Sequence, residues 1–176
     1  GLVGSEMCIR DRAAALPLTA ITAWEMLFDR LGIAPGKHPS HKTLLIIGAS
    51  GGVGSILTQL ATRLTSLTVI GTASRPETQA WVKELGAHHV IDHSQPIADE
   101  LKRIGFPTVD HIVSLTQTDL HFAQIVEAIA PQGKFGLIDD PASLDITKLK
   151  RKSVSVHWEL MFTRALFGTD DMIGQH

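Results

Sequence analysis

The sequence predicts an α/β protein with a doubly wound parallel sheet and helices on both faces of that sheet. Three observations predict it. The apolar run Leu44–Ile47 suits a strand buried on both faces. A glycine-rich turn and a helical pattern follow it directly, and further short apolar runs alternate with helices of about ten residues. Right-handed crossovers through such helices make successive strands parallel, which is the Rossmann architecture with about six strands.

The predicted elements alternate along the whole chain. Apolar residues at spacings of three and four predict a first helix, and a Pro- and Gly-rich loop then leads into the first strand. The predicted helices are Ala13–Gly32, a helix from Val53 to Leu64, Pro76–Leu85, Ile97–Ile104, and Asp119–Ala130, which ends at Pro131. The predicted strands are Leu44–Ile47, Leu67–Thr72, Val90–Ile91, Val109–Leu115, Lys134–Ile138 and Ser153–Trp158.

Length and charge exclude several classes of protein. A chain of 176 residues with a net charge of −2 fits one globular domain, or one domain plus fragments of another. Its dispersed basic residues argue against binding to nucleic acid or to a membrane surface. The densest basic run, Lys148–Lys152, is interpreted as a solvated turn before a strand. No apolar run approaches the roughly 20 residues that a membrane-spanning helix needs.

The first twelve residues lack any periodicity and resemble translated sequencing-adaptor sequence. We expect residues 1–12 to be such an artefact, without ordered structure, and leave them out of the fold prediction. They contain Cys8, the single cysteine, so this chain can form neither an internal disulfide nor a cysteine-based zinc site. We expect a cytoplasmic protein.

The glycine-rich turn predicts a site for the phosphates of a dinucleotide. In the G-x-G-x-x-G pattern the three positions hold Ala49, Gly51 and Gly54, with Gly48 just before them, so the match is a variant. Backbone N–H groups at the start of the next helix would face the phosphates. The alternative is a tight turn without a ligand. The predicted cofactor-binding residues here are Ser50, Gly51, Gly52, Val53 and Gly54.

The end of the second strand predicts which dinucleotide binds. NAD enzymes carry an acidic residue there to hold the ribose hydroxyls, whereas this chain carries Ser74 and Arg75. A guanidinium group can pair with the 2′-phosphate of NADP(H), so we predict NADPH as the cofactor. The alternative is a solvent-exposed arginine at the start of a helix.

Residues beyond the later strands predict the rest of the cleft, because ligands of open α/β sheets bind beyond the carboxyl ends of the strands. His93 is predicted near the adenosine phosphate, with an ordinary loop histidine as the alternative. His88, His89 and His93 do not form a plausible metal site, since adjacent residues point in different directions. Asp139 and Asp140 suggest a helix cap or turn. The residues predicted at the nicotinamide half are Ser114, Leu115, Thr116, Ile138 and Asp139.

Missing residues exclude competing enzymes. The chain has no tyrosine, so the Tyr and Lys pair of a short-chain dehydrogenase cannot be built. No Gly-Lys-Ser/Thr follows the turn, which excludes a P-loop nucleotide hydrolase. A doubly wound methyltransferase would need the acidic residue that the second strand lacks.

Several longer stretches resemble a known family. The sequence from Ala13 to the end is similar to the zinc-type alcohol dehydrogenase-like proteins, a branch of the medium-chain dehydrogenases and quinone reductases. The motifs that carry the resemblance are LPLTAITAWEMLF, GASGGVGS, GTASRPET, ELGAHHVIDH, APQGKFGLIDDP and KRKSVSVHWELMFTR.

The resemblance implies NADPH-dependent reduction of a quinone, enone or aldehyde by direct hydride transfer, without zinc. It places Thr22 near the nicotinamide carboxamide, and Ser74, Arg75 and His93 around the 2′-phosphate. It also implies a homodimer through the strand Ser153–Trp158. A second hypothesis is a dinucleotide-binding interaction module without catalysis. No residue of this chain is predicted to be catalytic or to bind a metal.

The resemblance implies that the chain is a truncated cofactor-binding half of a longer enzyme. We expect residues 13–35 to link to a missing N-terminal substrate domain and residues 36–168 to form the NADP-binding Rossmann domain. Residues 169–176 would then begin a C-terminal segment that returns to the substrate domain. On its own, such a fragment is expected to be inactive.

Overall fold

The protein folds around one six-stranded parallel sheet. The structure is a computed structural model that describes residues 16–175. The strand order is β3-β2-β1-β4-β5-β6, and every neighbouring pair is parallel, which confirms the predicted doubly wound Rossmann fold. The strands are β1 (Thr43–Ile47), β2 (Thr68–Thr72), β3 (His89–Ile91), β4 (Val109–Ser114), β5 (Ile129–Leu137) and β6 (Ser155–Trp158).

Helices connect the strands and cover both faces of the sheet. The first helical segment, α1, is α-helical over residues 16–24 and continues as a π-helix over Glu25–Arg30. Short 3₁₀-helices lie at Ile146–Lys152 and Met172–Gln175. The remaining helices are α2 (Gly52–Leu64), α3 (Pro76–Glu84), α4 (Ile97–Arg103), α5 (Thr118–Ala128) and α6 (Thr163–Phe167).

The central strand β1 separates two apolar cores. Leu44 and Ile46 pack on one face with residues of α1, α2 and α3, whereas Leu45 and Ile47 pack on the other face with residues of α4 and α5. All five residues of β1 are buried. The uninterrupted apolar run therefore reflects a strand with a core on each side. It also holds the glycine turn that follows Ile47 at the centre of the molecule.

The boundary between α5 and β5 differs from the prediction. The helix ends at Ala128, and β5 begins at Ile129, ahead of Pro131. A register irregularity follows: Ile129 pairs with Val109, but regular pairing resumes only at Lys134 with His111. Pro131 has no N–H to donate, and Gln132 adopts a left-handed φ of 61°, so both fit this bulge. The predicted strand start at Lys134 is the start of regular pairing.

The approach to β6 also differs from the prediction. Lys148–Lys152 belongs to a 3₁₀-helix rather than a solvated turn. Ser153 ends that helix with a left-handed φ of 51°, so the strand begins at Ser155 instead of Ser153. The ammonium group of Lys152 donates to carbonyls at the end of α5 and at Ile129, which holds this segment against the domain.

The first helix ends where the sequence predicts. Gly32 has a left-handed φ of +59°, which favours glycine as a stop. The predictions for residues 1–12 and for the helix start at Ala13 lie outside the described residues, as does His176. The boundaries at 35/36 and 168/169 stay predictions. Within residues 16–175, no helix is both long and apolar enough to span a bilayer.

Candidate functional site

The glycine turn after β1 has a backbone that its sequence explains. Gly48 has a φ of +83°, a conformation that residues with a Cβ rarely adopt. Its carbonyl accepts the N–H of Gly51 at 3.1 Å, which closes the turn. Gly48 thus meets the need for a tight turn that the pattern assigns to the position of Ala49. The N–H of Gly48 in turn donates to the hydroxyl of Thr72 at 3.2 Å, which ties the turn to the end of β2.

Gly54 allows α2 to approach the turn closely. A Cβ on Gly54 would lie 2.3 Å from the carbonyl oxygen of Gly48 and 2.7 Å from the Cα of Ala49. Real Cβ atoms do not approach backbone atoms so closely, so this position accepts only glycine. The third glycine of the pattern therefore brings the helix against the strand, as the dinucleotide fingerprint requires.

The start of α2 provides free N–H groups for an anion. Gly51 precedes the helix with extended backbone, and its carbonyl accepts the N–H of Ser55 at 2.8 Å. The amides of Gly52, Val53 and Gly54 belong to the first turn, where no carbonyl of the helix can accept them. Together with the positive end of the helix dipole, these amides favour a phosphate group.

A cleft of about 410 Å³ opens over this turn. It lies where the strand order reverses between β1 and β4, the position at which open α/β sheets bind ligands. Its walls come from the glycine turn, from the start of α2 and from residues that follow β3, β4 and β5. The lining residues are Gly48, Ser50, Gly51, Gly52, Val53, Gly54, His93, Leu115, Thr116 and Ile138.

His93 gives the cleft a polar group that needs a partner. Its Nδ1 atom is buried and has no hydrogen-bond partner among the described residues. Its ring packs edge-on against His121, with 6.1 Å between the ring centroids. Burial lowers the pKa of His121, and the neighbouring His93 lowers it further. The unpartnered Nδ1 atom of His93 in the cleft lining can meet a polar or anionic ligand, so the cleft fits a dinucleotide phosphate.

Ser74 and Arg75 follow β2 at the same edge of the sheet. Both are exposed and lie outside the residues that line the cleft. The carbonyl of Arg75 accepts from the hydroxyl of Thr78 at 2.9 Å and from the N–H of Gln79, so the start of α3 holds the backbone. The Arg75 side chain is exposed to solvent beside this fixed backbone, and its contact with the 2′-phosphate stays a prediction.

Two predicted residues of the nicotinamide half serve other contacts. The carboxylate of Asp139 accepts the N–H of Thr118 at 2.9 Å and also the Thr118 hydroxyl. Ser114 is fully buried, with its hydroxyl oxygen 2.8 Å from that of Thr118. Neither lines the cleft. Their cofactor contacts stay predictions.

Thr22 is buried in α1 and also lies outside the cleft lining. Its hydroxyl donates to the carbonyl of Leu18 at 2.8 Å within the helix. One turn earlier, the methyl group of Thr19 would lie 3.4 Å from a Cβ on Gly52. The helix thus passes beside the glycine turn, and the predicted contact of Thr22 with the cofactor stays a prediction.

Three residues that shape the site, Gly48, Thr72 and Thr118, are not among the predicted cofactor-binding residues. Gly48 could have been found, since a glycine directly after a buried strand is the usual residue for a positive φ. Thr72 and Thr118 act through partners 24 and 21 residues away. No local pattern marks such contacts.

The histidines near β3 have separate partners. His88 Nδ1 accepts the N–H of Val69 at 2.9 Å, and the ring of His89 packs against Phe106. Within residues 16–175, no three His, Cys, Asp or Glu side chains are grouped so that they could hold a metal ion.

Comparison with known proteins shows the family of this chain. The family model described as zinc-binding dehydrogenase matches residues 52–170. A zinc-type alcohol dehydrogenase-like protein of Staphylococcus aureus (strain Mu50) is 41% identical over 170 residues, which is 94% of this chain and 50% of that protein. The chain therefore spans about half the length of the curated relatives it matches.

Solved structures share the fold over a similar part of their length. A Rhizobium etli CFN 42 protein assigned as a zinc-dependent alcohol dehydrogenase has 59% identity and a TM-score of 0.85, covering 93% of this chain and 48% of its own. A quinone oxidoreductase of Pseudomonas syringae has 28% identity and a TM-score of 0.74, covering 88% and 47%. With a family model that matches more than half of its residues, the chain belongs to the zinc-binding dehydrogenase family.

Proposed function

We propose that this chain is the NADPH-binding part of an oxidoreductase that acts by direct hydride transfer. The observation that carries the proposal is the row of free amides of Gly52, Val53 and Gly54, which faces a cleft at the reversal of strand order. That arrangement suits the pyrophosphate of a dinucleotide. The zinc-binding dehydrogenase family supports an oxidoreductase, and the preference for NADPH is our inference.

Each part of the cofactor has proposed partners. The amides of the glycine turn and the Ser50 hydroxyl would hold the pyrophosphate. Ser74, Arg75 and His93 would surround the 2′-phosphate, with Arg75 supplying the positive charge. The nicotinamide half would lie against Leu115, Thr116 and Ile138, with Ser114, Asp139 and Thr22 nearby.

NADPH supplies the chemistry as a hydride donor, and the residues of this chain position it. The apolar side chains of Leu115 and Ile138 in the cleft wall would limit the access of water to the nicotinamide ring. Catalysis would then depend on orientation and on electrostatic stabilisation rather than on a Lewis acid bound to this chain.

The substrate class is proposed from the relatives. The Staphylococcus aureus relative is described as alcohol dehydrogenase-like and the Pseudomonas syringae structure as a quinone oxidoreductase. We propose a small quinone, enone or aldehyde for this protein. Activity with those substrates is a proposal about the whole protein, as is a location in the cytoplasm.

Fluorescence titration with NADPH and NADH tests the cofactor proposal. We expect NADPH to bind more tightly, and Arg75→Ala to remove about a tenfold preference, because one charge-assisted contact to phosphate is lost. Arg151→Ala is the matched control, since it removes another exposed arginine, on the 3₁₀-helix. Equal affinities for both dinucleotides in the unchanged protein would contradict the proposal.

A turnover assay separates the enzyme from the alternative, a dinucleotide-binding module without catalysis. The chain would be joined to the matching upstream half of its Staphylococcus aureus relative and supplied with NADPH and a small quinone. Oxidation of NADPH that requires both halves supports the enzyme. Tight NADPH binding without oxidation in the joined protein supports the module.

We also propose a homodimer through β6. This strand lies at the edge of the sheet, and no further strand among residues 16–175 pairs with its outer side. Trp158 at its end and Leu160 just beyond it are both 54% exposed. Pairing of two copies across a two-fold axis would cover both features. Light scattering should give twice the mass of the chain, and a monomer at high micromolar concentration would contradict the dimer.

A further inference from the structure

A second pocket lies at the opposite edge of the sheet from the nucleotide cleft. It has a volume of about 240 Å³ and lies where β1 and β2 begin, beside His111 of β4 and Lys134 of β5. The length of β1 separates the two sites by about 13 Å. The pocket therefore shares no residue with the cleft, and the proposed dinucleotide cannot occupy it.

Positive and neutral polar groups line this pocket. Lys42 enters it from just before β1, Lys134 from within β5, His111 from β4 and His38 from the loop before β1. Among the described residues, no aspartate or glutamate lines the pocket, and neither lysine takes part in an ion pair. Two lysines without a carboxylate partner give the pocket a positive potential.

His111 is a buried residue in the lining of the pocket. It is only 5% exposed, and its Nδ1 atom is buried without a hydrogen-bond partner among the described residues. Burial, together with the charges of Lys42 and Lys134, lowers the pKa of His111 to about 4 against the opposing effect of Asp110. Both lysines therefore lie close enough to His111 to act on the same small volume.

The nearby carboxylate is already engaged. Asp110 accepts the N–H of Thr43 at 2.8 Å and the Thr43 hydroxyl at 2.9 Å, so it is held on β1. Lys134 donates one N–H to the carbonyl of Leu31 at 2.6 Å, and its ammonium group has two further N–H groups. The pocket thus offers donors and positive charge from Lys42 and Lys134, with no acceptor of matching charge.

The other wall is apolar. Leu31, Ile33 and Leu67 line it, and Ala34 and Pro39 lie at its mouth. A phosphate or sulfate ion would pair with the lysines but leave the apolar wall exposed to water. An anion that carries a short hydrocarbon chain would also cover the wall. We propose that this pocket binds a small organic carboxylate, with the charged end between Lys42 and Lys134 and the apolar part on the wall.

Nuclear magnetic resonance titration of the 176-residue chain without nucleotide tests the proposal. Butyrate is the probe, and butyramide, which has the same shape without the charge, is the matched ligand control. We expect butyrate to shift the ring resonances of His111 in a saturable manner, with butyramide at least fivefold weaker. Equal responses to the two compounds would overturn the proposal.

Variants locate the site. Lys42→Gln should weaken butyrate binding about fivefold or more, whereas Lys148→Gln, which removes an exposed lysine of the 3₁₀-helix, should leave it unchanged. Ala34→Trp should block the mouth of the pocket while it keeps both lysines, and should abolish binding. Unchanged binding in Lys42→Gln or Ala34→Trp would overturn the proposal. Because the pocket shares no lining residue with the nucleotide cleft, a failure to bind NADPH would leave the outcome of the butyrate titration unaffected.

Discussion

Asp139 and Thr118 connect the end of β5 to the start of α5. The carboxylate of Asp139 accepts both the N–H and the hydroxyl of Thr118, the first residue of that helix. One N–H of the first turn, which the helix itself leaves unpaired, is thereby satisfied. A negative charge also lies at the positive end of the helix dipole. The contact fixes the edge of the cleft where β4 leads into α5.

Replacement of Asp139 should therefore affect stability. Asp139→Ala should lower the free energy of unfolding by about 1–2 kcal/mol, because the Thr118 N–H loses its acceptor. Asp140→Ala, at the exposed neighbouring residue, is the control and should change it little. Urea unfolding measures both. Equal stability of the two variants would contradict a capping role for Asp139, and a separate fall in NADPH affinity would support its predicted cofactor contact.

Local patterns predicted most of the central fold. The burial of β1 on both faces and the helical spacing after Gly54 are properties of short segments, so both could be read from the sequence. The bulge between Ile129 and Lys134 could not, because its register depends on pairing with β4. Its left-handed Gln132 carries no local signal that distinguishes it from a loop.

The candidate site, like the fold, was predictable where it depends on short segments. The residues of the glycine turn, His93, Leu115, Thr116 and Ile138 line the cleft as their positions after strands suggest. The roles of Ser114 and Asp139 depend on Thr118, which no spacing rule connects to them. Contacts between side chains distant in sequence arise only once the strands have been ordered, so a single sequence does not reveal them.

Gly54 offers a sharp test of the geometry of the turn. Gly54→Ala would place a methyl group 2.3 Å from the carbonyl oxygen of Gly48, and backbone atoms cannot yield as a flexible side chain can. We expect a loss of about 2–3 kcal/mol in the free energy of unfolding. Gly52→Ala is the matched control in the same helix turn, because its nearest contact is the Thr19 methyl group at 3.4 Å. Thermal or urea unfolding that gave both variants equal stability would rule out the close approach.

Lys152 should stabilise the end of α5. Its ammonium group donates to the carbonyls of Val126 and Glu127, each at 2.8 Å, and of Ile129 at 2.6 Å. Lys152→Met keeps the aliphatic chain but leaves these carbonyls without the charge that complements the helix dipole. We expect the free energy of unfolding, measured with urea, to fall by about 2 kcal/mol. Lys150→Met, an exposed position of the same 3₁₀-helix, is the control, and an equal loss there would contradict the capping role.

Glu159 lies in a buried charged cluster beside α1. Its Oε2 atom accepts from Arg30 Nε at 2.6 Å, whereas its Oε1 atom and Glu25 Oε2 are buried without hydrogen-bond partners among the described residues. Burial and the neighbouring Glu25 raise the pKa of Glu159 to about 7 against the opposing effect of Arg30. A protonated Glu159 can donate to Glu25 and relieve the repulsion between the two carboxylates.

This raised pKa predicts a pH-dependent effect of Glu159→Gln. A carboxyl group whose pKa is higher in the folded state contributes stability that is fully present below its unfolded value near 4.5 and is lost as the pH rises through about 7. Glutamine imitates the protonated acid at every pH. The variant should match the natural protein in unfolding free energy near pH 5 and exceed it at pH 8 by an amount on the order of 2 kcal/mol. His111 is present in both proteins, so its contribution cancels in the difference between their curves of unfolding free energy against pH. That difference then reports on Glu159. Glu127→Gln, at an exposed position, is the control, and its free energy of unfolding should depend on pH as that of the natural protein does. The same pH dependence in Glu159→Gln would refute the prediction.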